Sequence, residues 1–242
     1  MNGENVSPDK NRLFLEALTN SFNEFLESAT SRSTAKLKPL HGFIASDLAE
    51  RLGAGYTLHS QGYGNGMEGS MRGRYFDKRV DISVCKDGEP VAGIAVKFVM
   101  QNYSQNSVNY FENMLGETAN IRSADRPYFQ VFIIFDRIPH YNAYKQITHW
   151  ESFTARNVAK YDALSKDNPD AYRHTPNKLL LYVVHIPDNG DVADKEGYLS
   201  YYKRLKPALT LSEMRYEEFG NVIIVNDYDA FMEKVYHTIL SM

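Results

Sequence analysis

The sequence predicts an α/β fold in which a mixed central β-sheet is flanked by helices. One observation is a β-hairpin pattern, in which an Asp-Gly turn joins two apolar, β-branched runs at residues 75–84 and 91–100. A second is two apolar runs, 127–135 and 178–186, which are typical of buried strands. The third is the helical spacing of apolar residues before, between and after these runs. Because strands and helices alternate, we expect a mixed sheet covered by helices.

The individual elements follow from the same patterns and from glycine and proline positions. Helices are predicted at 13–26, 34–51 (bent near Pro39), 108–121, 147–164 and 228–240, with further strands at 56–59 and 221–225. A glycine-rich loop covers 62–73, and the polar segment 188–218 has no clear order. We expect one domain over 1–242, in which N-terminal helices (1–52) pack on an α/β core (56–242).

Composition excludes several classes of protein. The 242 residues are 43% hydrophobic, enough for one large core, and the net charge of −3 argues against a purely electrostatic nucleic-acid binder. A single cysteine, Cys85, excludes intrachain disulfides and cysteine-based zinc sites and fits a reducing cytoplasm. The sequence contains no apolar run of about 18 residues, so no membrane-spanning helix is predicted. The seven histidines show no His-Glu-x-x-His spacing, which disfavours zinc hydrolysis.

The hairpin carries two polar side chains among residues that favour burial. Asp81 lies in the first strand and Lys97 in the second. Antiparallel strands bring both within reach of each other if they point to one face. Asp81 is then a candidate ligand of Mg²⁺, and Lys97 a candidate group for orienting water and stabilising a scissile phosphate. Mg²⁺ needs more than one Asp, so we expect a second carboxylate nearby.

Asp81, the hairpin and the strand ending in Lys97 resemble the PD-(D/E)xK nuclease superfamily, whose largest group is the restriction endonucleases. The resemblance covers residues 75–122 and extends to the remainder only in the order of elements. It implies a restriction endonuclease-like fold and a homodimer that hydrolyses DNA with Mg²⁺ and leaves a 5′-phosphate. One departure matters, because the acidic position of the motif falls on Ala95, which cannot bind a metal.

Three glutamates are candidates for the missing carboxylate. Some enzymes of the superfamily supply this Glu from the helix after the lysine strand, and Glu112 lies at the distance that the resemblance implies. Glu117 is five residues further on, about 140° around a helix, so the two are not expected to share one metal. Glu50, on the preceding helix, is a further candidate. Glu112 and Glu50 are also compatible with an ordinary solvated helix face.

Two polar clusters are candidates for DNA contact. The first comprises Arg72, Arg74, Lys78 and Arg79, just before Asp81. Phosphate contact is a reasonable role for it, although the preceding loop lacks the Gly-Lys-Ser/Thr of a phosphate-binding loop. The second is rich in amides and contains Gln105, Asn106 and Asn109, which suit adenine recognition or simply helix capping.

The combined prediction is a Mg²⁺-dependent DNA endonuclease, a type II restriction enzyme acting as a homodimer, in which Asp81 and Glu112 hold the metal. Two alternatives remain open. Ala95 favours a nucleic-acid-binding or assembly module that keeps the fold without the activity. An unrelated α/β interaction protein would use Asp81 and Lys97 only as a salt bridge.

Overall fold

The computed structural model describes residues 9–28, 35–187, 190–215 and 218–242. Their helices are α1 (Lys10–Ser28), α2 (Lys38–Leu52), α3 (Tyr103–Arg122), α4 (Ala155–Ser165), α5 (Lys195–Leu205) and α6 (Tyr228–Leu240). The strands are β1 (Tyr56–Ser60), β2 (Gly69–Arg72), β3 (Asp77–Val80), β4 (Ile82–Lys86), β5 (Glu89–Val99), β6 (Tyr128–Phe135), β7 (Arg137–Tyr141), β8 (Ile147–Ser152), β9 (Lys178–His185), β10 (Thr210–Leu211) and β11 (Ile223–Val225). This arrangement confirms the predicted α/β class.

The central sheet is mixed and has the strand order β1-β4-β5-β6-β9-β10, with β11 also paired to β9. The β1-β4-β5 part is antiparallel, whereas β5, β6 and β9 run parallel. Every residue of β6 is buried, as expected for a parallel strand covered on both faces. Helix α3 forms the crossover from β5 to β6 and packs against β6. Tyr110 of α3 reaches the Lys97 side chain of the neighbouring strand β5.

The N-terminal helices share their core with the end of the chain. Phe14 of α1 stacks on Tyr228 at a ring-centroid distance of 4.1 Å and meets Tyr182 of β9 edge-on at 4.8 Å. The hydroxyl of Tyr228 donates to Asp47 of α2 at 2.9 Å. Pro39 lies in the first turn of α2, where its missing N–H costs nothing, so it begins this helix and does not bend it. Thr34, the predicted start, is outside the described residues.

The predicted hairpin is present as β4 and β5, but its first strand is shorter than expected. Asp87 and Gly88 both have positive φ (53° and 84°), as a two-residue type I′ turn requires. The predicted strand 75–84 is divided at Asp81, because β3 pairs with β2 in a separate two-stranded sheet. Gly69 permits this arrangement, since a Cβ there would lie 2.0 Å from the Ser83 hydroxyl on β4.

The predicted helix 147–164 is wrong in its first half. Residues 147–152 form β8, which pairs with β7 in a second small sheet. Ile147, Trp150 and Phe153 are spaced by three and mimic a helical stripe, but these β-branched and aromatic residues also suit a strand. The helix begins only at Ala155, where Thr154 and Asn157 form a capping box.

Further along, β9, β11 and α6 lie close to their predicted positions, whereas α3 begins five residues earlier than predicted. The described part of 188–218, for which no order was predicted, contains α5 and β10. None of the helices in the described stretches combines the length and the apolar character needed to cross a membrane.

Candidate active site

A cavity of about 240 Å³ opens where β3, β5, β6 and α3 meet. Strand β3 brings cationic side chains to it, α3 supplies one wall, and β5 and β6 form the floor. Seven of its lining residues are charged or carry a side-chain amide: Lys78, Arg79, Asp81, Lys97, Asn113, Glu117 and Gln130. Residues that are far apart in the sequence therefore face one enclosed space.

Asp81 lies at the break between β3 and β4, partly buried in the cavity wall. Its Oδ2 accepts a hydrogen bond of 2.7 Å from the backbone N–H of Val96 on β5. Desolvation raises the pKa of Asp81 to about 6, although the Val96 hydrogen bond acts in the opposite direction and Glu117 adds to the rise. A carboxylate held in this state is one that a bound cation would stabilise.

Lys97 projects from β5 on the cavity side, two residues after Ala95 and hence on the same face of the strand. Its Nζ lies 4.5 Å from the ring centre of Tyr110 on α3, a cation–π contact. Lys97 is exposed, although both of its neighbours in the strand are buried. Partial desolvation still lowers the pKa of Lys97, while Asp81 and Glu117 act to raise it.

The second carboxylate in the cavity is Glu117, whereas Glu112 is exposed on α3. Positions 110, 113, 114 and 117 share the face of α3 that lines the cavity. Glu112 lies about 140° away from Glu117 around the helix and is exposed. The expectation that Glu112 approaches Asp81 is therefore wrong. Lys78 on β3 contacts Glu117 at 2.5 Å between Nζ and Oε1, which orients that carboxylate.

Helix α2 contributes a histidine, not Glu50, to the neighbourhood of Asp81. The Glu50 side chain is 73% exposed and pairs with Lys10 at 2.9 Å. In contrast, potential ligand atoms of His41, Glu68 and Asp81 all lie within 4.8 Å of one another. His41 is 2% exposed, and burial lowers its pKa to about 4, so its ring is neutral and able to bind a metal.

Both ring nitrogens of His41 are buried without a hydrogen-bond partner among the residues that the structure describes. Orphaned buried polar atoms are costly and call for an explanation, and a bound ion is one of the few available. Sequence reasoning missed this residue because its two partners, Glu68 and Asp81, come from two other segments of the chain. A lone histidine among Leu40, Ile44 and Leu48 also resembles ordinary core.

Gln130 is a further cavity residue that sequence reasoning missed. It pairs in register with Ala95 across β5 and β6, and it is 5% exposed. Its Nε2 donates to Thr118 Oγ1 at 3.2 Å, which leaves the amide oxygen available to the cavity. A signal existed, since Gln130 is the one polar side chain in an otherwise apolar and aromatic strand. It brings an oxygen donor next to the position where Ala95 supplies none.

These donors fit a divalent cation. Mg²⁺ is usually held by one or two carboxylates and completes its shell with water and phosphate oxygens. Asp81 and Glu117 supply that number of carboxylates at the cavity. The imidazole of His41, which is not among the residues lining this cavity, is a softer donor in the neighbouring group with Glu68 and Asp81, and it adds affinity for Mn²⁺ there.

The predicted DNA-binding residues divide into two groups. Arg72, Arg74 and Arg79 are exposed, and Arg79 and Lys78 also line the cavity. The group is therefore continuous with the site and accessible from outside.

The amide cluster is mixed in its behaviour. Asn106 lines a second cavity of about 360 Å³ that shares Lys97 and Tyr110 with the first. Its Nδ2 also donates to the Asn102 carbonyl at 3.2 Å, and Gln105 accepts from Asn102 at 3.3 Å. Asn106 and Gln105 therefore form local hydrogen bonds at the start of α3. Asn109 is exposed on α3.

The β7-β8 hairpin positions the start of α3. Glu151 accepts hydrogen bonds from the backbone N–H and the hydroxyl of Ser104, both at 2.7 Å, and it also contacts His140. A carboxylate at this end of a helix satisfies an unpaired N–H and interacts favourably with the helix dipole. Glu151 therefore helps to fix the helix that carries Tyr110 and Glu117.

Comparison of the chain with protein-family models, with curated proteins and with solved structures gives no match. The likeness to PD-(D/E)xK nucleases accordingly depends on the residues of the site itself.

Proposed function

We propose that this protein is a Mg²⁺-dependent DNA endonuclease. The observation that carries the proposal is the convergence of Asp81, Glu117 and Lys97 on one cavity, although they come from a strand break, a helix and a strand. Two carboxylates and an amine at an open site are the groups that phosphodiester hydrolysis needs. Exposed arginines at the rim suit a polyanionic substrate. A homodimeric type II restriction enzyme is the specific form that the resemblance favours.

Each side chain has a distinct role in this proposal. Asp81 and Glu117 would hold Mg²⁺, which supplies charge neutralisation at the scissile phosphate and an activated water. Lys97, which lines the cavity, stabilises the charge that develops on the phosphate in the transition state and orients the attacking water for in-line displacement. Tyr110 restrains the Lys97 ammonium through its ring face, and Lys78 keeps the Glu117 carboxylate directed into the cavity.

His41 and Glu68 extend the ligand set on another side of Asp81. Because Asp81 belongs to both groups, a cation at either place compensates its desolvated charge. The neutral imidazole of His41 predicts that Mn²⁺ binds beside Asp81 at least as well as Mg²⁺ does.

Ala95 favours a second candidate function, a nucleic-acid-binding module without activity. Ala95 lines the cavity where the motif of the resembling nucleases carries an acid, and it contributes no ligand there. Glu117 and Gln130 are the groups that would compensate for it.

The experiment that tests the proposal compares Mg²⁺, Mn²⁺ and Ca²⁺ with DNA of varied sequence. We expect cleavage with Mg²⁺ and Mn²⁺. Ca²⁺, which prefers more ligands at longer distances, should support binding without cleavage. Salt-sensitive binding without cleavage in any of the three ions supports the inactive module. The absence of binding supports the interaction protein.

A further inference from the structure

The turn between β2 and β3, residues 73–76, presents two adjacent aromatic side chains to solvent. Tyr75 is 74% exposed and Phe76 is 59% exposed. Single exposed apolar residues are common on protein surfaces, but two large aromatic neighbours at one turn form an exposed apolar patch that calls for an explanation. Arg72 and Arg74 beside them are also exposed, and the Arg74 guanidinium lies 5.9 Å from the Tyr75 ring centre.

The aromatic turn is held rigidly by one buried residue of α3. Asn120, which is 2% exposed, accepts from the Tyr75 N–H at 3.0 Å through its side chain. Its Nδ2 donates to the Phe76 carbonyl at 2.9 Å, and its own carbonyl accepts from the Arg74 N–H at 2.9 Å. A Cβ at Gly73 would lie 2.2 Å from the Asn120 amide, so the close docking needs glycine at that position.

The turn is connected to the candidate active site in two ways, through α3 and through β3. Asn120 is three residues after Glu117 on α3, and β3 runs from the turn directly into Asp81. Four residues of extended strand span roughly 13 Å. That length corresponds to roughly four base pairs of duplex DNA at 3.4 Å per step.

We propose that the aromatic turn stacks Tyr75 and Phe76 on bases of duplex DNA, a few base pairs from the phosphate in the cavity. The inference rests on the proposed nuclease function. Aromatic rings stack on bases, and rigid apolar wedges are inserted at base steps by proteins that unstack DNA. The charge of Arg72, Arg74 and Arg79 complements the flanking phosphates, and the turn is continuous with the cavity through β3. These features favour DNA over a protein partner for the patch.

The test combines affinity with a stacking signal, using a mixed-sequence DNA duplex in Ca²⁺. We expect the double variant Tyr75→Ala/Phe76→Ala to bind roughly tenfold more weakly or worse. The slope of affinity against salt should stay unchanged, because no phosphate-binding charge is removed. We also expect Tyr75→Trp to show fluorescence quenching on addition of DNA, since a stacked indole is quenched by bases.

The matched control is Tyr144, which is 85% exposed in the β7-β8 loop. The β7-β8 hairpin contacts α3 at Ser104, whereas the turn docks on Asn120 of the same helix, so roughly 24 Å of helix separates the two contacts. Tyr144→Ala should bind DNA as the wild type does, and Tyr144→Trp should show no DNA-dependent quenching.

Wild-type affinity in the double variant, or the absence of quenching in Tyr75→Trp, overturns the inference while leaving the nuclease proposal intact. Loss of self-association with unchanged DNA affinity also overturns it and assigns the patch to a second copy of the chain. If the wild-type protein binds no DNA, the proposed function fails together with the inference.

Discussion

The Asp81 carboxylate is joined to the backbone N–H of Val96 by a hydrogen bond of 2.7 Å, across the boundary between β3-β4 and β5. This bond holds the carboxylate beside the strand residues that precede Lys97. It also fixes one carboxylate oxygen while desolvation keeps the pKa of the group high. The desolvated Asp81 carboxylate therefore lowers the stability of the metal-free protein, and a bound cation would restore that stability.

The first prediction concerns the pH dependence of stability. The pKa of Asp81 is raised from 3.8 to about 6 in the folded protein, so its contribution to stability is present below pH 3.8 and is lost as pH rises through 6. Asp81→Asn removes this loss, and we expect the metal-free variant to be more stable than the wild type by roughly 2 to 3 kcal/mol above pH 7. Urea unfolding in a chelator at several pH values measures the difference. A variant that is less stable than the wild type above pH 7 would contradict the account.

The second prediction concerns Lys97. Because its side chain is exposed, Lys97→Ala should change the free energy of unfolding by no more than about 0.5 kcal/mol. DNA binding in Ca²⁺ should stay near the wild-type level, while cleavage in Mg²⁺ falls at least roughly a hundredfold through loss of transition-state stabilisation. Single-turnover cleavage measures this. Lys86→Ala, an exposed lysine at the β4-β5 turn, is the control and should cleave normally. Cleavage by Lys97→Ala at the wild-type rate would remove this hairpin from the proposed mechanism.

A third prediction separates the two glutamates of α3. Glu117 lines the cavity, whereas Glu112 is exposed to solvent. Glu117→Gln should therefore strongly raise the Mg²⁺ concentration needed for cleavage, and Glu112→Gln should leave that concentration nearly unchanged. The measurement is a Mg²⁺ titration of the cleavage rate for both variants. The reverse result would restore Glu112 as the metal ligand.

The fourth prediction concerns His41. Replacing a buried, unpartnered imidazole by an apolar side chain of similar size removes an unsatisfied polar group, which costs about 1 to 3 kcal/mol. We therefore expect His41→Leu to raise the unfolding temperature in a chelator and to abolish the extra stabilisation that Mn²⁺ gives the wild type. Thermal unfolding with and without Mn²⁺ checks both effects. Equal Mn²⁺ stabilisation in the two proteins would exclude His41 as a ligand.

The fifth prediction concerns salt. Each of Arg72→Ala and Arg74→Ala should reduce the slope of log affinity against log salt by about 1, as expected when one phosphate contact is lost. Arg12→Ala, an exposed arginine on α1 that pairs with Glu16, is the control and should leave the slope unchanged. DNA binding in Ca²⁺ over a range of salt concentrations gives the slopes. Identical slopes in all three variants would place the DNA elsewhere on the surface.

Parts of the fold were predictable because local patterns determine them. The Asp87-Gly88 turn needs positive φ at both residues, and the short run of β-branched and aromatic residues in β6 is typical of a buried strand. The division at Asp81 was not predictable, because it depends on β2 folding back onto β3. That contact is long-range, and no propensity within the strand encodes it.

The candidate site was predictable only in part, for a related reason. Asp81 and Lys97 stand out as polar residues in apolar strands, and the lining of one cavity places them together. The choice between Glu112 and Glu117 required the rotation of α3 relative to the sheet, which tertiary packing sets. His41 was hidden because its partners, Glu68 and Asp81, come from other segments of the chain.

The most direct test of the central claim is cleavage of mixed-sequence DNA in Mg²⁺ by the wild-type protein and by Asp81→Asn, assayed side by side. Asp81 is the residue common to both groups of candidate ligands, and its substitution is expected to leave the fold intact. The account predicts fragments with 5′-phosphate ends from the wild type and no fragments from the variant, with DNA binding retained by both. Equal cleavage by the two proteins, or DNA binding by the wild type without any cleavage, would contradict it.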